Sequence, residues 1–459
     1  VARVVQLHSA PALATSRVNT GSEPVSMALS PTGRSLYVAN FADGTVSVIN
    51  TVTMTQSAVY DLNAPLATAG YLGPGITGRR GMAHPRAIVV TNDGDADDSD
   101  ETLYVTEFFG QRRLNAGPTG LERFDQERVG VVYRIPQTTQ TVELRTPSPV
   151  TDITFRDGNG AVAGCFPNQL YAAAIAQNRV FITAVCASPR GPTGPVAPPV
   201  TDAGAPLDVP RDITTDVRPD IVDVVTDTPD TGPPIPPLDP VGANFRTEQT
   251  GMIFVLDHGM DGNEVTSLRV NLNQRFQALY DARRTPDDPS RRFPLIPIDL
   301  DFVPVAGAGT STSTVAYLAA YGSDALYRIR FNTTGTFAEV SGANLPPFVD
   351  LGASSFSGTA ITPGSGPYGV ATTSVVLTHA LAVNEFSRTL SAVDLNTQLV
   401  TSVAPLSMAT PTAAEASALR GRKFFVTGLG RWSFKGQSWN SCEACHPDGL
   451  TDNVTWFFA

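Results

Sequence analysis

Lysine is almost absent from this chain. Of 32 Lys and Arg residues in 459, the only lysines are Lys423 and Lys435, so no lysine nucleophile or Schiff base operates upstream of them. Cysteine numbers 4 and histidine 5, and no second C-x-x-C is available to complete a zinc site around Cys442 and Cys445. No apolar run approaches the roughly 20 residues a membrane-spanning helix requires. No glycine-rich phosphate loop follows a strand, and no Gly-x-Ser-x-Gly elbow occurs. A net charge of −11 and a pI near 4.9 argue against nucleic acid as a partner. The start at Val1, without methionine or an apolar leader core, is expected to be a processed, mature N-terminus.

What is present begins with a repeat. Pro24–Leu29, Ser35–Asn40 and Thr45–Ile49 alternate with period two and are separated by Ser-Pro-Thr-Gly and Ala-Asp-Gly turns, the pattern of a β-meander. The same grammar returns at Pro85–Val90, Leu103–Phe108 and Gly130–Ile135. A third copy uses Leu170–Ala174, Val180–Val185 and Gly251–Asp257; a fourth uses Val315–Tyr321 and Ala325–Ile329; a fifth uses Pro367–Ala371, Ala380–Asn384 and Thr389–Leu395. Serial meanders of this length point to a mainly β chain built as a β-propeller. Degenerate strands near residues 1–10, 150–156, 265–270 and 398–403 extend the expected count to six to eight blades, with seven favoured.

These copies, above all Leu36-Tyr37-Val38-Ala39-Asn40 and Leu103-Tyr104-Val105-Thr106-Glu107, resemble the YVTN family of β-propeller repeats. The resemblance spans residues 20–400 and implies a propeller over residues 1–404. The third copy is interrupted at about residues 187–244 by a stretch rich in Pro, Asp, Thr and Val, with too few large apolar side chains to offset the entropy of ordering.

Near the C-terminus the chain reads Cys442-Glu443-Ala444-Cys445-His446. In C-x-x-C-H, two thiols form thioether bonds to a haem and the adjacent histidine binds its iron. Covalent haem c is therefore the expected cofactor, with His446 as proximal ligand. Attachment of such a haem takes place on the export side of the membrane, so a periplasmic, extracellular or cell-surface location is expected. Cys165 and Cys186, an isolated pair in an oxidising compartment, are expected to form a disulfide stapling strands beneath the insertion.

Upstream of the motif, Pro411 and Thr412 start a helix over Ala413–Phe425. Gly421-Arg422-Lys423-Phe424-Phe425, Ser441-Cys442-Glu443-Ala444-Cys445-His446 and Asp452 resemble the haem-binding module of the di-haem cytochrome c peroxidase family. The resemblance covers only residues 405–459 or so and implies a small α-helical cytochrome c-like segment. Propellers of the YVTN type and such modules occur together in exported proteins. Two departures matter: the chain holds one haem motif where that family has two, and it ends before a C-terminal helix could cover the haem. The expectation is a natural continuation beyond Ala459, with room there for a second haem.

No Met or His follows His446. The distal ligand is thus open, with Met408 and His379 the nearest candidates in sequence and His8, His84 and His258 further away. Trp432, Trp439 and Trp456 are candidates to line the haem crevice. A second site is Asp93-Gly94-Asp95-Ala96-Asp97-Asp98-Ser99-Asp100-Glu101, whose carboxylates at Asp93, Asp95, Asp97, Asp98, Asp100 and Glu101 are spaced for a calcium ion.

Three functions compete. The leading one is electron transfer through the haem, with the propeller docking redox partner proteins and other subunits of an assembly. The second is peroxide reduction at an open iron position, with Glu443 or Asp448 as acid or base. The third is a surface structural or assembly role with an accessory haem.

Overall fold

The computed structural model describes residues 2–7, 13–113, 126–150, 164–189, 249–286, 288–304, 312–356, 359–373, 379–406, 411–430, 432–433 and 435–454. The chain is mainly β. A hairpin of β1 (Ala2–Leu7) and β2 (Leu13–Val18) precedes five antiparallel sheets. The first sheet comprises β3 (Pro24–Leu29), β4 (Ser35–Asn40), β5 (Thr45–Asn50) and β6 (Thr55–Asp61), followed by helix α1 (Asn63–Thr68). The second comprises β7 (Pro85–Val90), β8 (Thr102–Glu107), β11 (Val132–Pro136) and β12 (Glu143–Arg145), with a side ladder of β9 (Gln111–Arg112) and β10 (Arg128–Val129).

The third sheet has β13 (Phe166–Ala176), β14 (Arg179–Ala187) and β15 (Gln249–Asp257), edged by β16 (Asn263–Glu264) and β17 (Val270–Asn271), and leads into helix α2 (Leu272–Ala282). The fourth has β18 (Pro297–Pro304), β19 (Thr312–Ala320), β20 (Ala325–Phe331), β21 (Phe337–Val340) and β22 (Val349–Asp350). After the short pair β23 (Ser355–Phe356) and β24 (Thr359–Ala360), the fifth runs β25 (Pro367–Thr372), β26 (His379–Asn384), β27 (Thr389–Asp394) and β28 (Leu399–Pro405).

The sheets pack in chain order. First strands neighbour one another successively, β3 on β7, β7 on β13, β13 on β18 and β18 on β25. Apolar side chains fill each seam: Tyr37, Val46 and Val48 meet Ile88, Leu103 and Tyr133 between the first and second sheets. Phe181, Ile253 and Val255 meet Leu300, Phe302 and Phe331 between the third and fourth.

A recurring residue latches these seams. In the first, second and fourth sheets a tyrosine of the second strand is buried against the next sheet and reaches the turn that follows that sheet's third strand. Tyr37 donates to Gln137 Oε1 (3.3 Å), Tyr104 bonds His258 Nδ1 (2.8 Å), and Gln398 Nε2 donates to the Tyr317 hydroxyl. The third sheet carries Phe181 at this position, and its ring meets Phe331 of the fourth at 4.7 Å. The fifth carries Leu381. A second repeat device is internal: Asn40 Nδ2 donates to Thr45 and Ser47, as Asn384 Nδ2 does to Thr389 and Ser391.

Each expected meander is found, and each sheet has at least one strand beyond those assigned to its meander. Two of the proposed degenerate blades are not blades. Residues 398–403 fall largely in β28, the fourth strand of the fifth sheet, and 265–270 contribute a 3-10 turn and β17 to the edge of the third. Val150 bridges Cys165 in the third sheet's approach, and residues 151–163 lie outside the described residues. The disulfide Cys165–Cys186 is formed, tying the lead into β13 to the end of β14. Beyond residue 189 the Pro/Asp-rich insertion lies outside the described residues.

Candidate haem-binding site

Two helices build the segment that carries the motif. Helix α3 (Ala413–Val426) starts with a capping box: Thr412 Oγ1 accepts from the Glu415 N–H at 3.3 Å and Glu415 Oε2 accepts from the Thr412 N–H at 2.7 Å. Beside it lies the single turn α4 (Cys442–Cys445), closed by the His446 N–H on the Cys442 carbonyl at 2.8 Å. Helical spacing decides what this turn presents. Residues 442, 445 and 446 share one side, while 443 and 444 share the other.

The inner side is anchored to the β sheets. Ala444 is buried, together with Val426, in a cluster drawn mostly from the fourth and fifth sheets that also takes in Phe41, Phe108, Tyr171 and Val185. Its carbonyl accepts from Gln169 Nε2 (2.7 Å) and Gln249 Nε2 (2.6 Å). Gln169 sits at a bulge in β13 with φ of 46°, a left-handed backbone that turns its side chain toward the motif. Tyr171 fixes the Gln169 amide by donating to its Oε1 at 2.8 Å. Asn168 Nδ2 donates to the Asp452 carbonyl at 3.1 Å.

Further contacts come from the other sheets. Arg86 of β7 pairs with Asp448 at 3.1 Å and bonds the Tyr368 hydroxyl of β25 at 3.1 Å. Arg422 of α3 pairs with Asp448 and with Glu385, each at 3.5 Å, and Glu385 accepts from the Tyr321 hydroxyl. The Gly428 N–H donates to the Gly322 carbonyl at 2.8 Å. Four of the five sheets thus contribute to seating this segment. Glu443 is buried on the inner side and accepts from the Asp448 N–H at 2.8 Å. Burial, with the Asp448 charge adding to it, pushes its carboxyl up to about 7.

The outer side is open. Cys442 and His446 are exposed, Cys445 is half-buried, and the two thiols are not bridged. His446 Nδ1 lies 3.2 Å from the Leu450 carbonyl oxygen. A carbonyl only accepts, so this bond places the proton on Nδ1 and the lone pair on Nε2. A haem-ligating histidine needs this tautomer, and a backbone carbonyl is a common partner for it. Two unbridged thiols one helical turn apart, beside an imidazole with Nε2 free to coordinate, fit a covalent haem on the outer side.

The remaining candidates are dispersed. His379 opens β26 and pairs across to Asp394, five residues or about 17 Å of strand from Asn384, which precedes Glu385 near Arg422. Met408, His8 and Trp456 lie outside the described residues. His258 is engaged by Tyr104 in the seam between the second and third sheets. His84, two residues before Arg86, has Nδ1 3.6 Å from buried Glu107 and packs between Phe41 and Phe109. Trp439 is not in a crevice: it is buried on Phe293 with ring centroids 4.4 Å apart. Trp432 is exposed. Gln169 and Gln249 carry no sequence motif, and no pattern in the chain could have named them.

In the acidic loop, oxygens of Asp93, Asp95 and Asp100 lie within 4.8 Å of one another. Asp97 is exposed and caps the Ser99 N–H (2.9 Å), and Asp98 is drawn away by the Thr32 N–H (3.0 Å). Glu101 is buried, holding Thr91 and the Asp93 N–H. Three of the six carboxylates converge, and three do not.

No protein-family description and no curated protein matches the chain. Among solved structures, it is similar to Kuenenia stuttgartiensis hydrazine synthase at 11% identity and a TM-score of 0.33, covering 81% of this chain and 83% of that one. It is also similar to a protein from Lactobacillus plantarum at 10% identity and a TM-score of 0.38, covering 84% and 72%. Likeness this loose carries no argument about fold or activity. No helix among the described residues is long and apolar enough to cross a membrane.

Proposed function

We propose that the chain is an exported c-type haem protein that transfers electrons, its haem bound covalently through Cys442 and Cys445 and ligated by His446. The observation that carries this reading is the two-sidedness of the motif: Ala444 and Glu443 are anchored inward, Cys442 and the His446 imidazole face outward, and half-buried Cys445 sits between the two sides with its Sγ 3.4 Å from Gln249 Nε2. When bound, the haem supplies a one-electron iron couple. The chain's part is to hold the imidazole tautomer through Leu450 and to fix the turn against four sheets. The five serial sheets are the body of a β-propeller of six or seven blades that presents the haem to redox partners. The disulfide supports an oxidising location.

Peroxide reduction is the weaker reading. Glu443 is turned inward onto the Asp448 N–H, and Asp448 is held by Arg86 and Arg422, so neither carboxyl is placed to serve the outer side. A calcium ion at Asp93, Asp95 and Asp100 is an accessory part of the proposal; a chelator is expected to lower the melting temperature, and an unchanged one would remove it.

Optical and EPR spectra of the native protein, with and without carbon monoxide and peroxide, test the assignment. A low-spin iron indifferent to both ligands is expected. A high-spin iron that binds carbon monoxide and turns over peroxide would move the assignment to the peroxidase class.

A further inference from the structure

Helix α3 packs on one side only. Val426 is buried and Leu419 half-buried, and Arg422 reaches Asp448 and Glu385 from this same side. Phe424 is 66% exposed, on the opposite side with Arg420 one turn before it. Two more large apolar side chains of the segment are open, Trp432 at 61% and Leu450 at 48%, the latter belonging to the residue whose carbonyl holds His446. Scattered apolar exposure is ordinary, but three such residues in one small segment beside the open motif are not.

The exposed charges beside Phe424 on α3 are cations, Arg420 and Lys423. Glu415 keeps its charge at the start of the helix, held by the Thr412 N–H and hydroxyl, while Glu443 and Asp452 are buried and Asp448 is paired with Arg86 and Arg422. Arg420 and Lys423 are exposed and make no close ion pair among the described residues, the Lys423 charge acting at longer range on buried Asp324. Lys423 and Lys435 are also the chain's only lysines. In a protein of net charge −11, the side of α3 around Phe424 is therefore locally positive.

Resting on the haem assignment above, we propose that the surface formed by Arg420, Lys423 and Phe424 is the docking face for an acidic electron-transfer protein. An apolar centre excludes water at contact, and fixed cations steer an acidic rim into register and raise the on-rate. The net charge of the whole chain would repel such a partner, so the local field must decide the encounter.

Stopped-flow reduction of the native haem protein by the anionic complex Fe(II)-EDTA, over a series of ionic strengths, tests this. The rate is expected to fall as salt rises. In the double variant Arg420→Glu/Lys423→Glu it should drop on the order of tenfold at low salt, and the salt dependence should change sign. Arg284→Glu, a single charge reversal at the exposed turn that follows α2, should leave the sign as it is. A wild-type rate that rises with salt, as net repulsion dictates, overturns the proposal, as does an equal response to the control. So does a dimer at assay concentration in which the double substitution has no effect, because a second copy would then cover the face. Absence of any haem band would instead overturn the underlying assignment.

Discussion

At the residue scale, the decisive side chains are those that hold the motif from beneath. The motif was legible because C-x-x-C-H is a local pattern whose helical spacing dictates which residues share a side. Its anchors were not: Gln169 lies 275 residues from Ala444 in sequence and owes its aim to a left-handed bulge. Glu443 gives this layer a pH signature. Its folded-state value of about 7 lies above that of a free glutamate, so the folded protein favours the protonated form. That contribution is complete at pH 4 and is lost as pH rises toward 7 and beyond. Glu443→Gln keeps the acceptor for the Asp448 N–H and removes the titration. At pH 8 the variant is expected to be more stable than wild type, by on the order of 2 kcal/mol, and at pH 4 equal to it. Denaturant titrations at both pH values check this, and a difference independent of pH contradicts it.

At the scale of elements, the seams between sheets are held by side chains that the repeat pattern partly revealed. The tyrosine of Leu-Tyr-Val is visible in sequence, and it is buried along with most of its strand, but its partners Gln137, His258 and Gln398 sit in variable turns. The fourth strands were missed because β12 and β21 are short and β6 alternates weakly, while β28 was taken for part of another blade. The seam between the fourth and fifth sheets has its own device. Asp299 accepts from the Val370 N–H at 2.8 Å, and Asp301 accepts from the Thr372 N–H and hydroxyl at 2.7 and 2.9 Å. Burial raises both carboxyls, that of Asp299 to about 6. Asp301→Ala strands the Thr372 donors in this seam and is expected to cost about 2 kcal/mol. Equilibrium unfolding measures it, and a loss within error of zero would show that water replaces the carboxylate.

At the scale of the molecule, the series of sheets and the C-terminal segment that carries the C-x-x-C-H motif form one structure rather than a scaffold with a loosely tethered module. Contacts from the second, third, fourth and fifth sheets converge on residues 422–452. The meander series was legible because period-two patterning and turn residues repeat along the chain. The seating of the segment was not, since it depends on pairs such as Arg86 and Asp448, 362 residues apart. The inference of an acidic partner also belongs to this scale, because it sets a local field against the charge of the whole chain.

The most direct measurement is the intact mass of the native protein under denaturing conditions, alongside its Cys442→Ser/Cys445→Ser variant. The account predicts that wild type carries haem mass that survives denaturation and that the variant loses it. A wild-type mass equal to that of the polypeptide, with both thiols free to alkylate, would contradict the haem assignment at its root.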